Sequence, residues 1–272
     1  MELHCCNGDN MGGCCTKTNP PPANKPPAKP ASEGAAPTSQ KATQQTEPKP
    51  ADPKPAVASV PTSHRHTGKT VFIYFDLHGR GDIIRLLLHL ADVPFEDKRL
   101  QGEEWMTTYK PTAEFLTCPI LEIDGHRLVQ TKAIIRYIAQ THGLYPKSPK
   151  EMYLLESFVD TVADIREDLI EHSAHNEVQK LEEHYAKMPG LLAMLEKRLA
   201  ANPAKSGWLV GGQMTVADVM LFDLLWNWFL QPSRKDTHGA KVPKRLKEFA
   251  EFCLERTPRI RDYVTSRQPR PF

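Results

Sequence analysis

The first 70 residues contain no aromatic side chain, although the 272-residue chain has 21. The same stretch holds half of the 24 prolines, with Lys, Ala, Ser and Thr making up much of the rest. Such a segment cannot offset its ordering entropy by burial, so residues 1–69 are expected to form a disordered tail. The folding unit then begins near residue 70.

Other shortages narrow the function. Beyond the tail only Cys118 and Cys253 occur, which is no disulfide framework. No apolar run approaches the roughly 18 residues that span a bilayer, and Met1 to Cys6 lacks the apolar stretch of a secretory signal. The tail carries a small positive excess and the remainder is close to neutral, which argues against nucleic acid as a partner. The expectation is a soluble, cytoplasmic protein.

Within the tail, Cys5-Cys6 and Cys14-Cys15 are two pairs separated by seven residues. They read as free thiols, as acylation sites that would add membrane association, or, least in keeping with their spacing, as metal ligands. Residues 20–61 read as an extended, partly polyproline linker whose Pro-x-x-Pro spacings would suit an SH3-type partner. The tail thus offers membrane or protein tethering.

From Thr70 the patterns become regular. Thr70 to Phe75 is an unbroken run of β-formers, and Asp82 to Asp92 sets Ile83, Ile84, Leu87, Leu88 and Ala91 on one helical face. Phe95 to Leu100 gives a second strand and Trp105 to Lys110 a short helix. Pro119 to Ile123, the turn Asp124-Gly125, and His126 to Val129 form a hairpin. Thr131 caps a helix that Gly143 stops. From Glu151 onward only helical periods occur, with Thr215-Val-Ala-Asp218 as a capping box flanked by Met214 and Val219. The fold class is an α/β domain over 70–147, an all-α domain over 151–272, and the tail in front.

This order resembles the soluble glutathione transferases. Tyr74-Phe-Asp-Leu-His-Gly-Arg80-Gly81 is similar to the alpha/sigma-class start, and Cys118-Pro119 with its hairpin to the family's cis-proline segment. Leu128 to Ile134 is similar to the turn that clamps glutathione, and Thr215 to Asp218 to the capping box of the second domain. The resemblance covers residues 70–272 and implies a thioredoxin-like first domain, glutathione as co-substrate, no metal, and a homodimer. The short C-terminus points to the sigma-like group, which includes haematopoietic-type prostaglandin D synthases.

Glutathione is mostly a thiol at neutral pH, while the thiolate is the nucleophile. A donor or positive charge at the sulfur must lower its pKa. Tyr74 at a strand end can donate its phenol hydrogen; the competing reading is a core tyrosine. Arg80 can add positive charge, or be held by Asp82 or an acid of the second domain. His78 stands where the family usually has Arg, which weakens the local field.

The resemblance implies further contacts. Gln130 and Thr131 would hold the γ-glutamyl carboxylate at a helix start. The backbone of Cys118, turned by a cis Pro119, would pair with the tripeptide, its thiol inert. Trp105 and Lys110 would reach the glycine end, with Tyr109 competing for the Lys110 place and Thr117 replacing a longer side chain. Asp164 would reach the glutathione of a neighbouring subunit, and Phe115 would insert into that subunit. Leu77, Trp226, Trp228 and Phe229 with Tyr74 are either an apolar wall for the electrophile or, for the last three, core.

Two functions follow. One is a transferase joining the glutathione thiolate to hydrophobic electrophiles, with prostaglandin isomerisation and lipid peroxide reduction as related possibilities in detoxification. The other is a crystallin-like structural or scaffold protein of the same fold, placed by its tail.

Overall fold

The computed structural model describes His66, residues 68–231 and residues 242–270. The cysteine pairs and the Pro-x-x-Pro spacings of the tail lie outside the described residues.

The first strand, β1 (Val71–Phe75), lies between β2 (Glu96–Leu100), to which it is parallel, and β3 (Ile120–Ile123), to which it is antiparallel. β4 (His126–Val129) completes the order β2-β1-β3-β4. Asp124 and Gly125 both have positive φ, 52° and 77°, as a two-residue hairpin turn of this hand requires. The second strand begins at Glu96 rather than Phe95, whose ring packs against His89 of the preceding helix instead.

Pleating divides β1 between two sets of apolar contacts. Phe72 and Tyr74 join Leu121 and Ile123 in the main core. Ile73 joins Leu100, Ile120, Val129 and Trp105 in a smaller one. The helical segment around Trp105 runs from Gly102 to Thr112, longer at both ends than its sequence pattern suggests: α2 (Gly102–Glu104), a widened turn (Trp105–Tyr109) and a tight turn (Lys110–Thr112). The ring of Trp105 meets Phe75 edge-on, with centroids 6.0 Å apart.

Helix α1 (Asp82–Leu90) is buried at every position except His89, as its dense apolar sequence demands. α3 (Thr131–Thr141) follows the hairpin. The remaining helices are α4 (Pro149–Ala174), α5 (Val178–Ala200), α6 (Val216–Leu225), α7 (Lys244–Arg256) and α8 (Pro258–Ser266). α6 is buried throughout, Asp218 and Asp223 included, which makes it the centre of the helical domain.

Its start is held by the expected capping box. Thr215 donates its N–H and its hydroxyl to Asp218 Oδ2 at 2.8 and 2.9 Å, and Leu209 N–H donates to Oδ1 at 2.7 Å. Burial nevertheless pushes the Asp218 carboxyl up to about 7 against these donors. Trp228 and Phe229 are core residues, so they form no wall for a ligand; Trp226 is half-buried and stacks on Phe222.

Candidate active site

Tyr74 stands near the end of the central strand, and the chain then turns through residues 76–82 into α1. Its ring is buried, and its hydroxyl oxygen accepts the Arg80 N–H at 3.1 Å. Burial pushes the phenol above its ordinary value, and the Arg80 N–H offsets this only in part. Tyr74 therefore stays a protonated phenol at neutral pH, and its own hydrogen remains available to a second acceptor.

Two glycines make room for that ring. A Cβ on Gly81 would stand 2.3 Å from Tyr74 Cδ1, and one on Gly79 would stand 2.9 Å from the hydroxyl and 2.6 Å from Leu77 Cδ1. Gly79 also has φ +38°, so both space and backbone favour glycine there.

The turn is tied down from several sides. Arg85 of α1, itself buried, donates to Leu77 O at 2.9 Å and Phe75 O at 3.3 Å and pairs with Asp97 at 3.0 Å. Its guanidinium lies 5.8 Å from the centre of the Tyr74 ring. Asp82, the first residue of α1, accepts from His78 Nδ1 at 3.0 Å, Tyr263 Oη at 2.6 Å, Asn227 Nδ2 at 2.9 Å and Arg267. Burial opposes its charge, but these partners win, and its carboxyl is held well below the usual range.

Asn227 also donates to Asp223 Oδ1 at 2.9 Å, and Asp223 Oδ2 lies 2.7 Å from Arg166 Nε. Arg166 reaches back toward Gly79 O at 3.4 Å. His78 is therefore a hydrogen-bonded part of a buried network.

The Arg80 guanidinium points to the helical domain. Its Nε lies 2.8 Å and 3.1 Å from the two carboxylate oxygens of Glu167, and its Nη2 contacts Glu167 and, at 3.1 Å, Glu171. Burial pulls its pKa down, and the two α4 carboxylates more than reverse this, so it stays charged. The structural partners of Arg80 are thus acids of the second domain rather than Asp82.

A cleft of about 500 Å³ opens beside this pair. Six expected residues line it: Arg80, Thr117, Cys118, Gln130, Thr131 and Asp164. The Cys118–Pro119 bond is cis, and burial pushes the Cys118 thiol up to about 11, leaving it protonated and unreactive. Gln130 has φ +73°, a conformation uncommon outside glycine, and it precedes the first turn of α3. The unpaired N–H groups of that turn favour an anion at this end of the cleft.

Asp164 is exposed, with Lys132 Nζ 3.8 Å away. Lys132, Arg166, Glu167 and Met220 also line the cleft and were not among the expected site residues. Lys132 follows Gln130-Thr131 directly. Arg166 carried a readable signal, since it lies four residues from Val162 on an apolar helical stripe, where a cation needs a buried partner. Cations and carboxylates thus share one cleft, which suits a ligand bearing both charges.

Tyr74, Trp105, Lys110 and Pro119 are not among the lining residues; Tyr74 is buried behind Arg80, whose N–H it accepts. Trp105 and Tyr109 pack with the smaller apolar cluster, and Lys110 Nζ lies 3.9 Å from Met106 Sδ. Phe115 is exposed, as are Leu116 and Met106. Among the described residues no group of three or more His, Cys, Asp or Glu is placed to hold a metal.

Comparison with known proteins gives this arrangement a family context. Residues 70–140 match the family model described as glutathione S-transferase, N-terminal domain, and residues 147–267 match its C-terminal domain. The chain is 33% identical over 209 residues to Glutathione S-transferase 1 of Ascaris suum, an alignment covering 73% of this chain and 97% of that protein. It is 30% identical to S-crystallin SL11 of Nototodarus sloanii over the same shares of each chain. The crystal structure of the glutathione S-transferase from Ascaris lumbricoides superposes with a TM-score of 0.62 at 32% identity, covering 75% of this chain and all of that one.

Proposed function

The chain belongs to the glutathione S-transferase family, and from that premise we propose that it joins the glutathione thiolate to electrophilic small molecules. The observation that carries this reading is the Tyr74 hydroxyl, protonated by virtue of its burial and receiving the Arg80 N–H. With one lone pair occupied, the phenol keeps its own hydrogen for a sulfur bound beside it. A thiolate there gains a hydrogen bond that the thiol does not, so the thiol loses its proton to water at a lower pH. The thiolate then forms a carbon–sulfur bond while the electrophile expels its leaving group or accepts the electron pair. Tyr74 acts as a donor, not as a base.

The tripeptide's carboxylate end is assigned to Thr131 and the N–H groups that open α3, and its main chain to Cys118. Asp164 offers a partner to its ammonium group. The exposed Phe115 supports association with a second copy of the chain; sedimentation should give a dimer that Phe115→Ser weakens, and a monomeric parent protein would refute this. The Tyr74 to Gly81 start supports a sigma-like placement, for which prostaglandin isomerisation and peroxide reduction would use the same thiolate.

A structural role without turnover is the second reading. It is favoured by the engagement of the Arg80 guanidinium with Glu167 and Glu171. Calorimetric titration with glutathione, followed by turnover with an activated aryl halide, separates the two. Binding with turnover supports the enzyme, whereas binding or silence without turnover across a panel of electrophiles supports the structural role.

A further inference from the structure

The end of the chain returns to the turn that presents Arg80 to Tyr74. Arg267, just beyond α8, donates to Asp82 through one nitrogen and to Asn227 Oδ1 at 2.6 Å through the other. Three residues later the Arg270 N–H donates to His78 Nε2 at 3.2 Å, while Arg270 Nε lies 3.2 Å from Asp76 Oδ1. With Nε2 accepting, the His78 proton sits on Nδ1 and is donated to Asp82. Asp76, His78 and Asp82 all belong to the 76–82 turn, so the chain end contacts it on both sides of Arg80.

The turn has reason to need that clamp. Gly79-Arg80-Gly81 places two glycines around the residue whose N–H must meet the Tyr74 hydroxyl, and glycine loses more freedom on ordering than any other residue. Arg85 fixes the entrance through the Phe75 and Leu77 carbonyls, and Arg166 lies at 3.4 Å from Gly79 O. The exit, from His78 to Asp82, is held by hydrogen bonds within the turn, by Asn227 and Tyr263, and by residues 267–270.

We infer that residues 267–270 are a strap that sets the Arg80 N–H against Tyr74, making Arg267 and Arg270 positioning residues for thiol ionisation that act through Asp82 and His78. This rests on the glutathione reading above for its chemical consequence, though not for the clamp itself. Neither arginine touches the sulfur. Their effect would be to keep the Tyr74 phenol fixed as a donor whose lone pair is occupied.

The test compares full-length Arg270→Pro, which deletes the N–H given to His78, with Arg270→Ala, which keeps it. A chain stopped after Gln268 retains the Arg267 pair and serves if the proline variant does not fold. Hydrogen exchange reads the 76–82 amides, and thiolate absorbance reads bound glutathione as pH is varied. Arg270→Pro should speed exchange in that turn about fivefold and raise the thiol midpoint by about half a unit, as loss of one hydrogen bond permits. Arg270→Ala should move both less. Exchange and midpoint unchanged in Arg270→Pro and in the shortened chain would overturn the strap. If the parent protein ionises no glutathione, the glutathione reading falls, while faster or unchanged exchange still decides the strap.

Discussion

The Arg80 amide donates to the Tyr74 hydroxyl oxygen across 3.1 Å, joining the turn before α1 to the end of the central strand. This bond gives a buried tyrosine one fixed task. Its oxygen is occupied by an N–H, its proton is retained because burial opposes the tyrosinate, and donation to an anion is what remains.

Tyr74→Phe should therefore keep the fold and the glutathione affinity and lose the chemistry. The expected fall in kcat at neutral pH is roughly a hundredfold, the scale for removing one donor to a developing anion. KM for glutathione should stay within about threefold, because the carboxylate contacts are elsewhere. Steady-state kinetics with an activated aryl halide checks this, and an unchanged kcat would remove Tyr74 from the mechanism.

Gly81→Ala tests the packing that holds the ring. The added methyl would meet Tyr74 Cδ1 at 2.3 Å, so ring or turn must shift. Overpacking of this kind costs about 1–3 kcal/mol, visible as a lower denaturation midpoint. Activity should fall further than stability, since the displaced atoms are those of the donor. Gly190, with nothing near its missing Cβ, is the comparison site where alanine should be harmless.

Much of this is legible in the sequence alone. The Asp124-Gly125 turn, the capping box at Thr215 and the apolar stripe of α1 are local features whose residues lie close together in sequence, and local chemistry decides them. Five of the six expected cleft residues fall in short motifs, and Asp164 is legible only through the family resemblance. What escaped detection depends on distant partners. The contact of Arg270 with His78 spans 192 positions, and nothing near either residue announces the other. The packing of Trp105 with Ile73 and Phe75 likewise depends on the alternation of β1, which lies about 30 residues earlier. Trp228 could have served a pocket or the core, and packing around α6 decided for the core.

Glu167→Gln should change activity more than stability. Both partners of the Arg80 pair are substantially exposed, so its loss should shift stability by no more than about 0.5 kcal/mol. With less of the Arg80 charge neutralised, the bound thiol should ionise a few tenths of a pH unit lower, on the order of a twofold gain in rate at pH 6. A slower enzyme would mean that Glu167 aims Arg80 or binds the tripeptide instead.

Asp82 should govern part of the acid limb of stability. Its folded pKa is depressed, so its contribution is complete above the unfolded value of about 4 and is lost as pH falls below that. Asp82→Asn should lower stability at pH 7 by about 3 kcal/mol, by stripping Arg267 of its buried partner. It should also flatten the fall in Tm between pH 5 and pH 2. An equally steep acid limb in the variant would place the protonation elsewhere.

The most direct test of the central claim is an ultraviolet difference titration of glutathione onto the full-length protein at pH 6.5. The account predicts thiolate absorbance that saturates with glutathione and is absent in Tyr74→Phe. Saturable binding with no thiolate signal in the parent protein would contradict it, leaving a fold that holds the tripeptide without activating it.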